Sequence, residues 1–125
     1  NTDRTRDLSP TNASLVGRDG TLREFPTSGG ASHFLDFFEK ELFPYVEAHY
    51  RTQPHRLLAG HSFGGLFALN AFFTRPAMFE AVIAVGPSLR WDDDLPLRQA
   101  RSFFDDRDEL NIYCVSRADQ FTTGQ

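Results

Sequence analysis

The sequence predicts an α/β fold with a parallel sheet covered by helices on both faces, and three observations carry that prediction. Short apolar runs of strand length, Leu57-Leu58-Ala59, Ala81-Val82-Ile83-Ala84-Val85 and Leu110 to Val115, alternate with stretches of helical periodicity. Between the first run and its helix stands Gly60-His61-Ser62-Phe63-Gly64, the Gly-x-Ser-x-Gly of a sharp strand-to-helix turn. The length, 125 residues with 40% apolar, suits one domain and is too short for two.

Residues 1–30 carry Thr, Asp, Arg, Ser, Pro and Gly with little periodicity, so a long connection is expected, punctuated at Asp19-Gly20 and Ser28-Gly29-Gly30, with Ser14-Leu15-Val16 as a strand-like piece. From Ala31 to Tyr50, Phe34, Phe38, Leu42, Tyr45 or Val46, and His49 recur every three or four residues with charged residues between them, which predicts an amphipathic helix. Pro44 lies inside it and offers no N–H to the carbonyl of Lys40, so the helix should kink or divide there. After the strand at Leu57 to Ala59, the stretch Leu66, Phe67, Leu69, Asn70, Phe73 reads as a helix, with Pro76 just beyond it. Ala81 to Val85 is the next strand, and Gly86-Pro87-Ser88 breaks it. Leu89 to Asp94 follows as a loop, Leu95 to Phe104 as a short helix and Leu110 to Val115 as a further strand. Parallel sheets bind ligands beyond the carboxyl ends of their strands, which places Ser62, Pro87 to Trp91 and Ser116 to Phe121 on one face.

Composition excludes several classes. The net charge is −4 with the two signs interspersed, and no Lys/Arg block could line a phosphate backbone, so nucleic acid is not expected as a partner. The apolar stretch Leu66 to Phe73 falls far short of the roughly 20 residues of a membrane span, so no membrane role is expected. A single cysteine, Cys114, rules out a disulfide within the chain and sits in a strand pattern as a buried thiol. Thirteen phenylalanines predict an aromatic core. The cellular compartment stays open. The chain opens at Asn1 without an initiator methionine, so residues 1–125 are expected to be the central part of one domain, truncated at both ends.

The chemistry centres on Ser62. A serine hydroxyl attacks a carbonyl only when its oxygen stands clear of neighbours, beside a base and beside donors for the oxyanion it creates. A strained elbow presents it that way, and brings together the residues two before and two after the serine, where a β-carbon would collide; Gly60 and Gly64 meet that need. The amide of Phe63, at the positive end of the following helix, is then one oxyanion donor.

With these elements placed, the chain resembles the putative-esterase branch of the α/β-hydrolases, the group holding siderophore esterases and S-formylglutathione hydrolases. The likeness rests on Asn1-Thr2-Asp3-Arg4 with Asp7-Leu8-Ser9-Pro10, on Phe34-Leu35 through Glu41 to Val46, on Gly60 to Gly65, and on Pro87-Ser88-Leu89-Arg90-Trp91. It implies hydrolysis of a small-molecule carboxylic ester or thioester through an acyl-serine intermediate, with no metal and no organic cofactor. The family's triad runs Ser, Asp or Glu, His, yet no histidine follows Ser62, and the loop that gives the second oxyanion donor would precede Asn1. Truncation accounts for both gaps, and this stretch alone is expected to be inactive.

By the same resemblance, Asp119, after the last strand, stands where the triad carboxylate belongs, although a surface loop also favours aspartate. Asp105, Asp106 and Asp108 precede that strand, at the wrong end of the sheet. His61 is next to Ser62, but a base must reach the hydroxyl at roughly 2.6–3.2 Å, and its strand position points it away from the turn. His33, His49 and His55 lack ligand spacing and read as surface or packing residues. Arg90 and Trp91 can contact substrate or pack over the sheet edge. Asp92-Asp93-Asp94 lacks the spaced ligands and glycine of a calcium loop and reads as a solvated turn. Two other functions stay open: a non-catalytic binding module that keeps the scaffold, and an acyltransferase using the same serine.

Overall fold

Leu57–His61 (β3) pairs in parallel with Ala81–Val85 (β4), in the register Leu57 to Ala81 through His61 to Val85. A computed structural model describes residues 2–17 and 19–105. Strand periodicity divides the two faces of this pair. Val82 and Ala84 are buried and Leu58 is half-buried under the helices, whereas Leu57, Ile83 and Val85 are exposed on the other face. Helices on both faces are the sequence expectation; among the described residues they cover one.

Phe63–Thr74 (α4) connects the two strands and packs on both. It is apolar all round, with every residue from Gly65 to Phe72 buried, because it has neighbours on every side. Its one buried polar side chain, Asn70, accepts a hydrogen bond from Gln99 Nε2 at 3.2 Å. Gln99 lies on Leu95–Asp105 (α5), whose Phe103 packs at a tilt against Phe72 and Phe73.

The helix expected over 31–50 is divided, as the position of Pro44 predicts. Ala31–Phe37 (α2) passes into a π-helical turn at Phe38–Leu42 and then into Phe43–His49 (α3), with Pro44 in the first turn of α3. The amide of Phe43 bonds the carbonyl of Phe38, five residues back. That wide turn moves the apolar stripe by one residue, so Phe43, where Leu42 was expected, joins Phe38 against Phe79. Phe34 and Phe38 both pack on Phe67 of α4, tying this unit to the core.

The long connection expected over residues 1–30 carries more structure than its composition suggests. Asp3 caps Arg4–Leu8 (α1) by accepting from the amide of Arg6 at 3.0 Å. Ser14–Val16 (β1) and Leu22–Glu24 (β2) form an antiparallel hairpin closed at Asp19-Gly20. Five- and three-residue elements are too short to leave a periodicity. Among the described residues no helix is long and apolar enough to cross a membrane. The strand expected over 110–115, with Cys114, lies outside the described residues.

Candidate active site

At the end of β3 the chain reverses through one residue. Ser62 has φ 57° and ψ −115°, a conformation that costs an L-residue about 1–3 kcal/mol, and α4 begins at Phe63. Two backbone bonds hold it there. The amide of Ser62 donates to Val85 O at 3.1 Å, locking the turn to the end of β4, and Leu66 N donates to Ser62 O at 3.0 Å, the first bond of α4.

The turn brings backbones together so closely that side chains are excluded. A β-carbon at Gly60 would lie 2.0 Å from the carbonyl oxygen of Gly64, a collision nothing flexible can relieve. At Gly64 the expectation needs correction: a β-carbon there meets nothing within 4 Å, because it points outward from the first turn of α4. The second close approach falls on Gly65, where a β-carbon would sit 3.1 Å from Pro87. The packing thus requires glycine at Gly60 and is tight at Gly65.

Serine at the N-cap of a helix ordinarily turns its hydroxyl onto the first-turn amides. Ser62 occupies that position yet makes no side-chain cap. Its positive φ aims the hydroxyl elsewhere, and the residue is half-exposed. The first four amides of an α-helix have no intrahelical acceptor, and that of Phe63 is the first of them, beside the serine at the positive end of the helix. A half-exposed serine with no side-chain cap, next to the first amide at a helix N-terminus, is an arrangement suited to nucleophilic attack on a carbonyl.

Behind the turn stands a cluster of rings. Phe63 meets Phe25 edge-on at 5.6 Å and Trp91 at 5.4 Å between centroids, and Phe25 and Trp91 meet each other at 5.3 Å. The guanidinium of Arg4 lies 5.7 Å from the Phe63 ring centre. Trp91 is wholly buried, and its indole N–H donates to Thr11 Oγ1 at 3.1 Å. Direct contact of Trp91 with substrate is therefore corrected to packing, the other role its position allowed: its one polar atom is spent on Thr11 and its ring on two phenylalanines. Arg90 is exposed and makes no hydrogen bond or ion pair among the described residues.

The residues that follow form a left-handed turn. Asp92, Asp93 and Asp94 have φ of 47°, 54° and 58°, and Leu95 N closes the turn onto Trp91 O at 3.0 Å. Arg98 binds two of its carbonyls, Asp92 O at 2.7 Å and Asp93 O at 3.1 Å. Among the described residues no group of three metal-ligating side chains is present.

Among the described residues no histidine is hydrogen-bonded to Ser62. His61 is exposed at the end of β3, with Nε2 3.9 Å from where a β-carbon of Gly86 would sit, so its ring leans toward Gly86. His49 binds Tyr45 O at 2.7 Å, and His55 pairs with Glu80 at 2.5 Å beside the opposite, amino ends of both strands. Asp119 lies outside the described residues. Sequence reasoning missed Phe25 and Thr11, whose importance comes only from long-range contacts and left no local signal.

Residues 9–122 match the family model described as Putative esterase. The chain belongs to that family. Among its relatives, the ferri-bacillibactin esterase BesA of Bacillus subtilis is 37% identical over 102 residues, covering 80% of this chain and 35% of that protein. The siderophore enterobactin esterase of Emericella nidulans is also 37% identical, over 108 residues and 35% of its length. The chain thus spans about a third of the curated relatives it matches. Of solved structures, the IroE-like serine hydrolase from Shewanella oneidensis is 40% identical with a TM-score of 0.71, covering 82% of this chain and 33% of that one. The BES protein from Bacillus cereus superposes with a TM-score of 0.73 at 28% identity, over 90% of this chain and 44% of its own. The fold class read from the sequence, part of an α/β-hydrolase domain, is the one these structures share.

Proposed function

We propose that the protein carrying this chain is a serine esterase and that Ser62 is its nucleophile. The observation that carries the reading is the uncapped hydroxyl of Ser62 on a strained turn, beside the first amide of α4. Ser62 Oγ adds to the ester carbonyl, its proton passes to a base, and the carbonyl oxygen becomes an oxyanion that accepts from the amide of Phe63. Collapse breaks the bond to the alcohol, which leaves with the proton, and water then releases the acid from the acyl-serine. No described histidine is hydrogen-bonded to Ser62, so we assign the base to a residue outside the described ones, and Asp119 is the carboxylate assigned to orient it. The relatives named above supply the substrate class, a siderophore ester, and exposed Arg90 lies on the loop leaving β4, where substrate is expected.

The test is steady-state hydrolysis of p-nitrophenyl esters and of a ferric siderophore ester by the full-length protein. Ser62→Ala is expected to lower turnover by about 10³-fold or more, the scale seen when a serine nucleophile is deleted. Turnover within tenfold of the parent contradicts the assignment. Undiminished ligand binding by a parent protein without turnover would instead fit the non-catalytic reading.

A further inference from the structure

The oxyanion donor sits on a residue whose side chain is gripped from three directions. Phe25 enters from the segment after β2, Trp91 from the turn after β4, and Arg4 from α1, all on the ring of Phe63. Each belongs to a different part of the chain, and Phe25 and Trp91 are fastened independently of α4.

The fastening of Phe25 is polar. Ser28, 7% exposed, donates its hydroxyl to Phe25 O at 2.6 Å and accepts from Ala13 N at 3.1 Å. Asn12 donates Nδ2 to Pro26 O and to Ser28 O, at 3.1 and 3.2 Å. Ser9, wholly buried, accepts from Gly29 N at 2.9 Å through its hydroxyl and from Ala31 N at 3.0 Å through its carbonyl. Residues 9–13 and 25–31 are thereby laced into one unit, with Phe25 and Thr11 on it. Trp91 is fastened to the same unit by its bond to Thr11, and it sits at the start of a left-handed turn of three aspartates. Backbone strain of that kind persists only where surrounding contacts over-determine the conformation, and the burial of Trp91 together with Arg98 supplies those contacts.

We infer that the Phe25–Trp91–Thr11 bracket is a positioning device for the oxyanion hole: by packing the Phe63 side chain it anchors the first residue of α4, and with it the place of the Phe63 amide. The Cα of Phe63 carries both the packed ring and the amide nitrogen, so the grip on the ring anchors the first residue of α4 against the segments that follow β2 and β4, and a loosened grip lets that residue shift as a unit. An oxyanion donor contributes only while it is aimed at the position that the charge will occupy. Loosening the bracket therefore weakens binding of the tetrahedral intermediate and leaves ground-state binding alone. The inference rests on the esterase reading above.

The experiment uses the full-length protein and two variants that keep the bulk of the bracket, Thr11→Val, which removes the acceptor of the indole N–H, and Phe25→Leu, which removes a ring. Active sites are first counted with a fluorophosphonate probe on the parent, with Ser62→Ala as control. Turnover per counted site, KM and the inhibition constant of a boronic acid, a mimic of the tetrahedral adduct, are then measured. Both variants should lose about tenfold in kcat and a similar factor in boronate affinity, with KM within twofold. A merely structural role would lower the number of active sites or the melting temperature without moving kcat per site. Should either variant keep kcat and boronate affinity within twofold, or raise KM with kcat unchanged, the positioning role is overturned. A parent protein whose labelling does not depend on Ser62 overturns the esterase reading itself, and the inference with it.

Discussion

Two turns leave the carboxyl ends of the two parallel strands, and both hold side-chain-bearing residues at positive φ. In the first, one residue, Ser62, takes the whole reversal, and the strain is enforced by backbone packed against backbone at Gly60 and Gly65. In the second, three aspartates share it, and the conformation is enforced from outside by Trp91 and by the Arg98 guanidinium. Aspartate tolerates the left-handed region because its short polar side chain can satisfy itself locally, at a cost of about 1–2 kcal/mol or less per residue. The difference teaches where strain writes itself into a sequence. Strain that excludes side chains demands glycine at fixed spacing and can be read; strain held by distant partners leaves only an unremarkable acidic triplet.

The comparison breaks most sharply at Gly60. Gly60→Ala puts a methyl 2.0 Å from a carbonyl oxygen, so the elbow must open. A loss of about 3–5 kcal/mol is expected in urea unfolding, together with loss of Ser62-dependent turnover. Gly65→Ala, whose methyl meets Pro87 at 3.1 Å, should cost about 1–3 kcal/mol, since Pro87 can yield by a few tenths of an ångström. Gly64→Ala is the contrasting case. With nothing within 4 Å it should leave stability unchanged or raise it by up to about 1 kcal/mol, although the motif pattern treats Gly64 as equal to Gly60.

In the second turn the order of tolerance reverses. Asp93→Gly, at φ 54°, should change stability by less than about 1 kcal/mol, because relief of strain offsets the added freedom of the unfolded chain. Asp93→Val should lower it by about 1–2 kcal/mol, since a β-branched residue resists the left-handed region. Equal effects of Gly and Val there would mean that the turn is not held as described.

The smallest effect concerns the end of α4 remote from the elbow. Arg75 binds Asp36 at 2.8 Å and, donating to Asp36, holds its carboxyl below the ordinary value of 3.8. A carboxyl lowered by folding contributes stability that is present above 3.8 and is lost as pH falls through its folded value. The melting temperature of the parent should therefore fall slightly more than that of Asp36→Asn as pH drops below that point.

How much of this was legible in the sequence follows the same division. Leu57 to Ala59 and Ala81 to Val85 announced strands because their apolar runs are short and bounded, although among the described residues one face of the pair is exposed, and Pro44 announced the break in the helix because proline removes a donor wherever it stands. The π-turn before Pro44 was not legible, since Phe38 and Phe43 fall five apart and a helical period assigns the stripe to Leu42. Nor was the bracket: Phe25 is one of 13 phenylalanines, and its partners are 38 and 66 residues away, at Phe63 and Trp91. At Gly60 a β-carbon meets the carbonyl oxygen of Gly64, whereas at Gly64 it meets nothing within 4 Å and the second tight approach falls on Gly65. The two lie one step apart on a helix and face different directions, which spacing alone does not reveal.

The central claim is that the strained turn exists to present Ser62 as a nucleophile. It is tested most directly by treating the full-length protein with a fluorophosphonate and mapping the adduct by peptide mass spectrometry. The account predicts one adduct, on Ser62, absent from Ser62→Ala and lost in step with ester hydrolysis. An adduct on a different residue, or hydrolysis that persists undiminished in Ser62→Ala, would contradict it.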